Sequence, residues 1–252
     1  MVKITKPVWV CHGKEKDGKP KPIYSCDIHP DGRRFATAGG DNNVRIWNMA
    51  PLLDEAAENN PLVHQNLATL TLHTRPVNTV RWAAKGLRLA SGSDDTLVLV
   101  WQLKEAAARR QTGNLEEKQV ENWGLLGRLR GHAADVTDLA WSPDEAKLAS
   151  CSLDNYVIVW AVDRLQAIAR LKHDGMVKGV SWDPMGKFVC SASDDQSVKV
   201  WRCSDWREEA RIVEPYQKQG RTFFRRWVPE PSGCAAFSSD SNSNILIHPA
   251  RA

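Results

Sequence analysis

The chain has 252 residues, of which 42% are hydrophobic and 25% charged, and its formal net charge is +4 at pH 7. This composition is typical of a globular protein and excludes disordered and collagen-like classes. No apolar run approaches the ~20 residues that a membrane-spanning helix needs. The start lacks the apolar core of a secretory signal, so we expect an intracellular protein. The basic excess is too small to demand a nucleic-acid partner.

Four segments of the chain end in the same way, with a β-rich run closed by a tryptophan. An aspartate lies six residues before each of these tryptophans, and a serine or threonine lies ten residues before it. In the last three segments a histidine lies 28 residues before the tryptophan. Such fixed spacings indicate a repeat architecture. The repeated positions are Thr37, Asp41 and Trp47; His73, Ser91, Asp95 and Trp101; His132, Ser150, Asp154 and Trp160; His173, Ser191, Asp195 and Trp201.

The first unit begins differently from the other three. His12 precedes the first predicted strand at Ile23 by 11 residues, whereas the later histidines precede their strands by 4. The intervening residues 13–22 are rich in Gly, Lys and Pro, and they predict a hairpin tip or loop. The adjacent pair Cys11-His12 stands alone, so we interpret it as structural rather than metal-binding.

The later units differ in the length between a tryptophan and the next histidine. The tryptophan spacings are 54, 59 and 41 residues in chain order, while the histidine-to-tryptophan distance stays constant. Insertions therefore belong around the outermost strand of a unit. Within the second insertion, residues 103–110 are rich in helix formers and predict a short surface helix.

Each unit contains β-rich runs separated by turn residues. Three runs of the form Val-x-x-Val/Leu-x-Trp, ending at Trp82, Trp141 and Trp182, are followed by loop and turn residues. A second run, an Asp-bearing tight turn and the tryptophan strand come next, and a fourth strand fits before the next histidine. The sequence therefore predicts four strands per unit.

A repeat of about 40–45 residues with these signatures resembles the WD-repeat family of β-propellers. The resemblance implies an all-β propeller over residues 1–226, with four complete blades and a partial fifth. After Arg226 the repeat pattern is replaced by Trp227-Val-Pro-Glu-Pro, and we expect 227–252 to be a divergent, poorly ordered tail. Since propellers of this family have roughly seven blades, we expect a truncated or incomplete ring cut from a longer chain.

His132, Ser150 and Asp154 also match the residue types of a serine hydrolase triad. An enzyme needs one such set with an exposed nucleophile, whereas here the same types recur in three units. The family resemblance implies instead a structural tetrad, in which the Trp indole bonds the hydroxyl, the hydroxyl bonds His, and His bonds Asp. The chain has no Gly-rich phosphate loop and no metal-ligand spacing. We therefore expect no enzymatic activity, no metal and no cofactor.

Several segments resemble the HIRA-type histone chaperone family more specifically. They are Pro7-x-Trp9-Val10, Ile28–Thr37, Ile46–Pro51, Ala140–Pro143, Leu148–Ser152, Lys178–Pro184, Val200–Arg202 with Asp205-Trp206, and Thr222–Arg226. Other segments are at least as similar to a sister family, the propeller subunit of the replication-coupled chromatin assembly factor. These are Glu121–Trp123 and Leu129–His132, and the run Phe223–Arg226 occurs in both families. That subunit, a generic WD-repeat scaffold and a hydrolase remain the alternatives.

The HIRA-type resemblance implies a nuclear, non-enzymatic scaffold subunit acting in replication-independent nucleosome assembly and transcriptional regulation. Its implied partners are core histones and ubinuclein-type or other chaperone-complex subunits, with chromatin contacted indirectly. It implies no membrane and no small-molecule substrate.

In WD-family geometry, partners contact the top face, formed by residues three and five after each histidine and by the residue before each turn aspartate. Its mixed acidic, apolar and aromatic groups suit a basic or amphipathic peptide. An ordinary solvated face is the alternative. A basic-aromatic patch at Arg221, Arg225 and Arg226 has a similar alternative, an ordinary strand with exposed arginines. The candidate top-face residues are Tyr24, Asn78, Asp94, Asp135, Thr137, Leu153, Met176, Lys178 and Asp194.

Overall fold

The structure is a computed structural model that describes residues 7–14, 16–104 and 120–213, together with the backbone of 235–239 and 245–249. The helix predicted over 103–110 lies outside the described residues from position 105 onward. The partial fifth unit and the arginines at 221, 225 and 226 lie outside them as well.

Within the described residues, β-strands form four four-stranded sheets in which strand order follows the chain. The first contains β1 (Ile23–Ile28), β2 (Arg34–Gly39), β3 (Val44–Asn48) and β4 (Asn66–Leu70); the second β5 (Val77–Trp82), β6 (Arg88–Ser93), β7 (Val98–Leu103) and β8 (Trp123–Leu129). The third contains β9 (Val136–Trp141), β10 (Lys147–Ser152), β11 (Tyr156–Ala161) and β12 (Gln166–Lys172); the fourth β13 (Val177–Trp182), β14 (Phe188–Ser193), β15 (Val198–Arg202) and β16 (Glu208–Ile212). The prediction of an all-β chain with four blades is confirmed.

Two features lie outside these sheets. β17 (Ala235–Ser239) and β18 (Ile245–Pro249) pair antiparallel in the segment where no repeat was visible. Two four-residue helices, α1 (Ala50–Leu53) and α2 (Glu55–Glu58), fill the first insertion between β3 and β4. None of the described helices has the length and hydropathy to span a bilayer.

The chain divides into two compact units. One comprises Met1–Ser91 and Leu99–Gly127, and the other comprises Gly92–Val98 and Arg128–Ala252. In each unit the innermost strands of two successive sheets are joined through a tryptophan. Trp82 Nε1 donates to the carbonyl of Asp27 at 3.2 Å in the first unit, and Trp182 Nε1 donates to the carbonyl of Ala140 at 3.0 Å in the second.

The core of the second unit lies between its two sheets. Successive side chains of a strand point to opposite faces of the sheet, and this alternation directs β-branched and aromatic side chains into the interface. The same alternation makes the strands recognisable in the sequence. Thr137 Oγ1 adds a polar link by donating to the carbonyl of Val177 at 2.7 Å. The buried members are Ala149, Cys151, Val157, Val159, Leu171, Val177, Val180, Trp182, Val189 and Trp201.

A close approach of side chain to backbone holds the two sheets of the first unit together. His29 is buried, packs edge-on against Trp82 with ring centroids 4.6 Å apart, and donates from Nε2 to the carbonyl of Gly86 at 3.0 Å. Gly86 has φ +75°, and a Cβ atom there would lie 2.2 Å from His29 Nε2. Glycine is therefore required both by the left-handed backbone and by the imidazole.

We expect Gly86→Ala to lower the free energy of unfolding by about 2–4 kcal/mol, because it adds the backbone strain and displaces His29 from its acceptor. Gly32→Ala is the matched control, since Gly32 has φ +68° with nothing within 4 Å of its Cβ position. The control should lose only about 1 kcal/mol. Urea denaturation of the two variants measures the difference, and equal losses would contradict the role of His29.

Candidate functional site

The repeated polar residues meet in the interior of each sheet. In the third sheet Trp160 Nε1 donates to Ser150 Oγ at 2.8 Å, and Ser150 Oγ lies 2.8 Å from His132 Nε2. His132 Nδ1 lies 2.9 Å from Asp154 Oδ2. The fourth sheet has the same series of hydrogen bonds. Trp201 Nε1 donates to Ser191 Oγ at 2.8 Å, Ser191 Oγ lies 2.6 Å from His173 Nε2, and His173 Nδ1 lies 3.0 Å from Asp195 Oδ2. In the second sheet Trp101 Nε1 and His73 Nε2 lie 2.9 and 2.8 Å from Ser91 Oγ.

The first sheet holds the same arrangement, with a histidine that the repeat spacing did not assign to it. Trp47 Nε1 donates to Thr37 Oγ1 at 2.7 Å, and His12 joins Thr37 at 2.8 Å and Asp41 at 2.5 Å. His12 is fully buried. The hairpin closed by the bridge between Lys14 and Pro20 takes up the seven extra residues between His12 and β1. The interpretation of His12 as structural rather than metal-binding agrees with this position.

The donors and acceptors fix the proton positions along the chain of bonds. The indole nitrogen can only donate and an ionised carboxylate can only accept, so Trp160 donates to Ser150 and His132 Nδ1 donates to Asp154. In the neutral imidazole Nε2 then accepts from the Ser150 hydroxyl, which is the tautomer that the network assigns. Every buried polar atom on the path gains a partner, so the chain avoids the cost of burying an unsatisfied polar group.

Each repeated aspartate also builds the turn between the second and third strands of its sheet. Asp154 Oδ1 accepts from the N–H of Tyr156 at 3.0 Å, and Asp195 Oδ1 accepts from the N–H of Ser197 at 2.9 Å. The residue after each repeated aspartate has a positive φ of 64–70°. One carboxylate thus orders the turn and receives the histidine, which explains its fixed place six residues before the tryptophan.

The surroundings lower the pKa values of His173, Asp154 and Asp195. Burial lowers the pKa of His173, and the neighbouring Asp195 opposes that shift only in part. Burial by itself raises the pKa of the Asp154 carboxyl, but hydrogen bonds from His132 and from the N–H of Ala133 outweigh it, so this pKa lies below its ordinary value. The pKa of Asp195 is lowered in the same way, with Ser197 and His173 as donors. Neutral imidazole beside ionised carboxylate is therefore the favoured state.

This geometry does not provide a hydrolytic site. Ser91, Ser150 and Ser191 are each 0% exposed, so no substrate carbonyl can approach their hydroxyls. Each hydroxyl also accepts an indole N–H, which lowers its capacity as a nucleophile. Across the described residues, no three His, Cys, Asp or Glu side chains converge in a way that would hold a metal ion.

The structure brings five of the predicted top-face residues of the second unit together. The N–H of Leu153 donates to the carbonyl of Asp135 at 3.0 Å, which sets these two residues side by side. The N–H of Asp194 donates to the carbonyl of Met176 at 2.8 Å, and Lys178 Nζ lies 3.4 Å from Asp194 Oδ2.

Thr137 connects these two groups, since its hydroxyl bonds the carbonyl of Val177, the residue after Met176. That bond makes Thr137 a link between sheets. Asp94 lies half-buried in the turn that follows β6.

In the first unit Tyr24 is half exposed on β1, and Asn78 is half-buried on β5. The N–H of Gly40 donates to the carbonyl of Pro22 at 2.9 Å, the same strand-end bond as in the second unit.

The chain is similar in sequence to one family of known proteins. A family described as the CAF1B/HIR1 beta-propeller domain matches residues 3–226. The chain is 46% identical to Protein HIR1 of Mycosarcoma maydis over 236 residues, which is 91% of this chain and 23% of that protein. It is 43% identical to Protein HIR1 of Cryptococcus neoformans over 98% of this chain and 28% of that protein. It is 38% identical to Protein hir1 of Schizosaccharomyces pombe over 93% of this chain and 26% of that protein. The chain thus spans about a quarter of the length of these relatives.

Replacing the shared hydroxyl of one tetrad tests its structural role. We expect Ser191→Ala to lower the free energy of unfolding by about 2–4 kcal/mol, because Trp201 Nε1 and His173 Nε2 both lose a buried partner. Ser181→Ala is the control, since its hydroxyl makes only a 3.5 Å bond to the neighbouring carbonyl. Urea denaturation monitored by tryptophan fluorescence gives both values. A loss below 0.5 kcal/mol for Ser191→Ala would be incompatible with this role.

The lowered pKa values predict how stability depends on pH. A group whose pKa is lower in the folded protein than in the unfolded chain stabilises the folded state at pH values above its unfolded pKa. That contribution is lost as the pH falls toward the folded pKa. We therefore expect the free energy of unfolding to decrease as the pH falls below about 6.5, because His173 binds a proton more readily in the unfolded chain. It should decrease again below about pH 4 through the tetrad aspartates. Asp195→Asn should weaken the second decrease. Denaturation between pH 3 and 8 checks this, and a rise in stability from pH 7 to 5 would refute it.

Proposed function

The chain belongs to the CAF1B/HIR1 beta-propeller family, and from this premise we propose that it is a non-enzymatic scaffold subunit of a HIR-type histone chaperone. In this proposal it acts in the nucleus, in replication-independent nucleosome assembly and transcriptional regulation. Core histones and ubinuclein-type or other chaperone subunits are its partners. Chromatin is reached indirectly, without a membrane or a small-molecule substrate.

The observation that carries the proposal is the identity of 38–46% to HIR1 proteins over more than nine-tenths of this chain. The buried tetrads support a scaffold rather than an enzyme, because the residues that resemble a catalytic triad are consumed in holding each sheet together. Function in such a fold depends on surface residues that the repeat leaves variable.

We assign the docking role to the top-face group of the second unit. Met176 is 42% exposed, and its carbonyl accepts from the N–H of Asp194, whose carboxylate pairs with Lys178. Asp135 is the second acidic residue of the group. An exposed apolar side chain with Asp135, Asp194 and Lys178 in its group suits a segment that carries an apolar anchor and basic charge.

The matched family also includes CAF1B-type propellers, which supports a second candidate, the propeller subunit of the replication-coupled chromatin assembly factor. Glu121 and Trp123, which resemble that family in sequence, form a bonded pair with Trp123 Nε1 2.9 Å from Glu121 Oε2. The proteins recovered with the chain distinguish the two candidates.

The test is immunoprecipitation of the tagged chain from nuclear extract, with quantitative mass spectrometry of histones H3 and H4 and of chaperone subunits. We expect histones together with ubinuclein-type subunits. Recovery of the large replicative assembly subunit instead would favour the second candidate, and recovery of no chromatin protein would overturn both.

Met176→Lys should reduce histone or subunit recovery at least fivefold, because it adds a like charge at the contact for a basic segment. Met185→Lys is the matched control, since Met185 is 74% exposed at the opposite end of β13. Equal recovery with both variants would remove the top face from the proposal.

A further inference from the structure

The N-terminal segment is fixed onto the first insertion by two contacts of Trp9. Its Nε1 donates to Glu58 Oε1 on α2 at 3.0 Å, and its ring packs against Trp47 with centroids 5.8 Å apart. Trp47 is itself buried and bonded within the first tetrad. Residues far apart in sequence are thus held together on the rigid sheet, in a place that the repeat does not require.

This arrangement exposes the three least covered large hydrophobic side chains of the described residues. Val8 is 91% exposed, Leu62 is 85% exposed and Leu53 is 78% exposed. Val8 precedes Trp9, while Leu53 ends α1 and Leu62 follows α2 by four residues. We define the insertion patch as Val8, Trp9, Leu53 and Leu62 with Asp54, Glu55 and Glu58.

The helices beneath the patch are built to hold this surface rather than to bury it. α1 has a proline in its first turn and buries only Pro51, and α2 buries no residue. Asp54 caps α2 by accepting from the N–H of Ala56 at 2.9 Å. Helices of one turn have little intrinsic stability, so the Asp54 cap and the contact of Glu58 with Trp9 stabilise α2.

The charge of the patch is opposite to that of the chain. Residues 46–74 contain three acidic residues and no lysine or arginine, although the whole chain carries +4. Arg45, the last base before this stretch, is bonded to Asp41 at 3.0 Å. Asp54, Glu55 and Glu58 are all exposed beside the apolar side chains.

We infer that the insertion patch is a docking surface for a basic amphipathic segment of a partner protein. Its lysines or arginines pair with Asp54, Glu55 and Glu58, and its apolar face covers Leu53, Leu62 and Val8. Large apolar side chains with exposures of 78–91% indicate an interaction site, and the carboxylates select a basic partner over an acidic one. The insertion patch shares no residue with the top-face group, so the inference does not depend on the proposed function.

The probe for the test is a fluorescein-labelled 14-residue peptide of lysine and leucine, with leucines at helical spacing of three and four. Fluorescence anisotropy with the full chain should show saturable binding that weakens as salt increases. A peptide with serine in place of leucine, and one with glutamate in place of lysine, should each bind at least tenfold more weakly. Equal binding of the acidic peptide would overturn the inference.

Substitutions within the insertion patch test whether the lysine–leucine peptide binds there. Leu53→Ser with Leu62→Ser should weaken the lysine–leucine peptide at least tenfold, and Glu55→Lys at least fivefold. Leu87→Ser is the matched control, since Leu87 is 56% exposed elsewhere in the first unit. Val8→Ser, which leaves both helices intact, should weaken binding at least threefold and covers the case in which the double variant unfolds. Affinities equal to that of the unaltered chain for Val8→Ser and Glu55→Lys would refute the site.

Discussion

The buried indole N–H at the end of the third strand is the constraint on which each sheet depends. A tryptophan supplies the largest apolar surface available, but its nitrogen must find an acceptor once it is removed from water. The acceptor is the hydroxyl of Ser150 or its equivalents, which in turn needs an acceptor for its own proton. In these sheets a histidine supplies that acceptor, and an aspartate in turn accepts from the histidine in the third and fourth sheets, so these buried atoms are satisfied. The four residue types are thus a single solution to one desolvation problem.

This constraint explains which parts of the structure the sequence could predict. In each sheet the hydroxyl and the tryptophan lie on adjacent strands, the aspartate lies in the turn between them and the histidine precedes the first strand. Strand and turn lengths therefore convert directly into fixed sequence spacings, and the four sheets follow from them. His12 does not show the constant spacing between histidine and tryptophan, because a seven-residue hairpin lies between it and β1. Its bonds to Thr37 and Asp41 nevertheless match those of the other histidines. His12 is still the histidine that precedes the first strand, by 11 residues where the other units use 4, so its place in the unit was visible from the sequence although its bonds were not.

The surface was much less predictable than the interior, for a physical reason. Contacts such as Trp9 with Glu58 join residues 49 positions apart, and no periodic pattern encodes them. Likewise, Thr137 occupies a predicted top-face position, yet its hydroxyl is directed to the carbonyl of Val177 and serves cohesion between sheets. Family geometry places a residue on a face, but the neighbouring sheet decides whether its side chain remains available.

The position two residues before each tetrad tryptophan shows how far the sheets have diverged within this common frame. Leu99 and Ile158 are fully buried there, whereas the fourth sheet buries Lys199. Its ammonium donates to the carbonyl of Lys172 at 3.0 Å, pairs with Glu208 at 3.1 Å and lies 5.2 Å from the centre of the Trp201 ring.

A buried lysine is tolerated only when such partners replace its hydration. The hydrogen-bonding and ionic partners, Lys172 and Glu208, come from outside the tetrad, from the end of β12 and from the outer strand β16. The fourth sheet therefore depends on its neighbour in a way that an apolar residue would not require. Although the tetrads repeat, the sheets are not interchangeable, and it is in these non-repeated contacts that a specific function can reside.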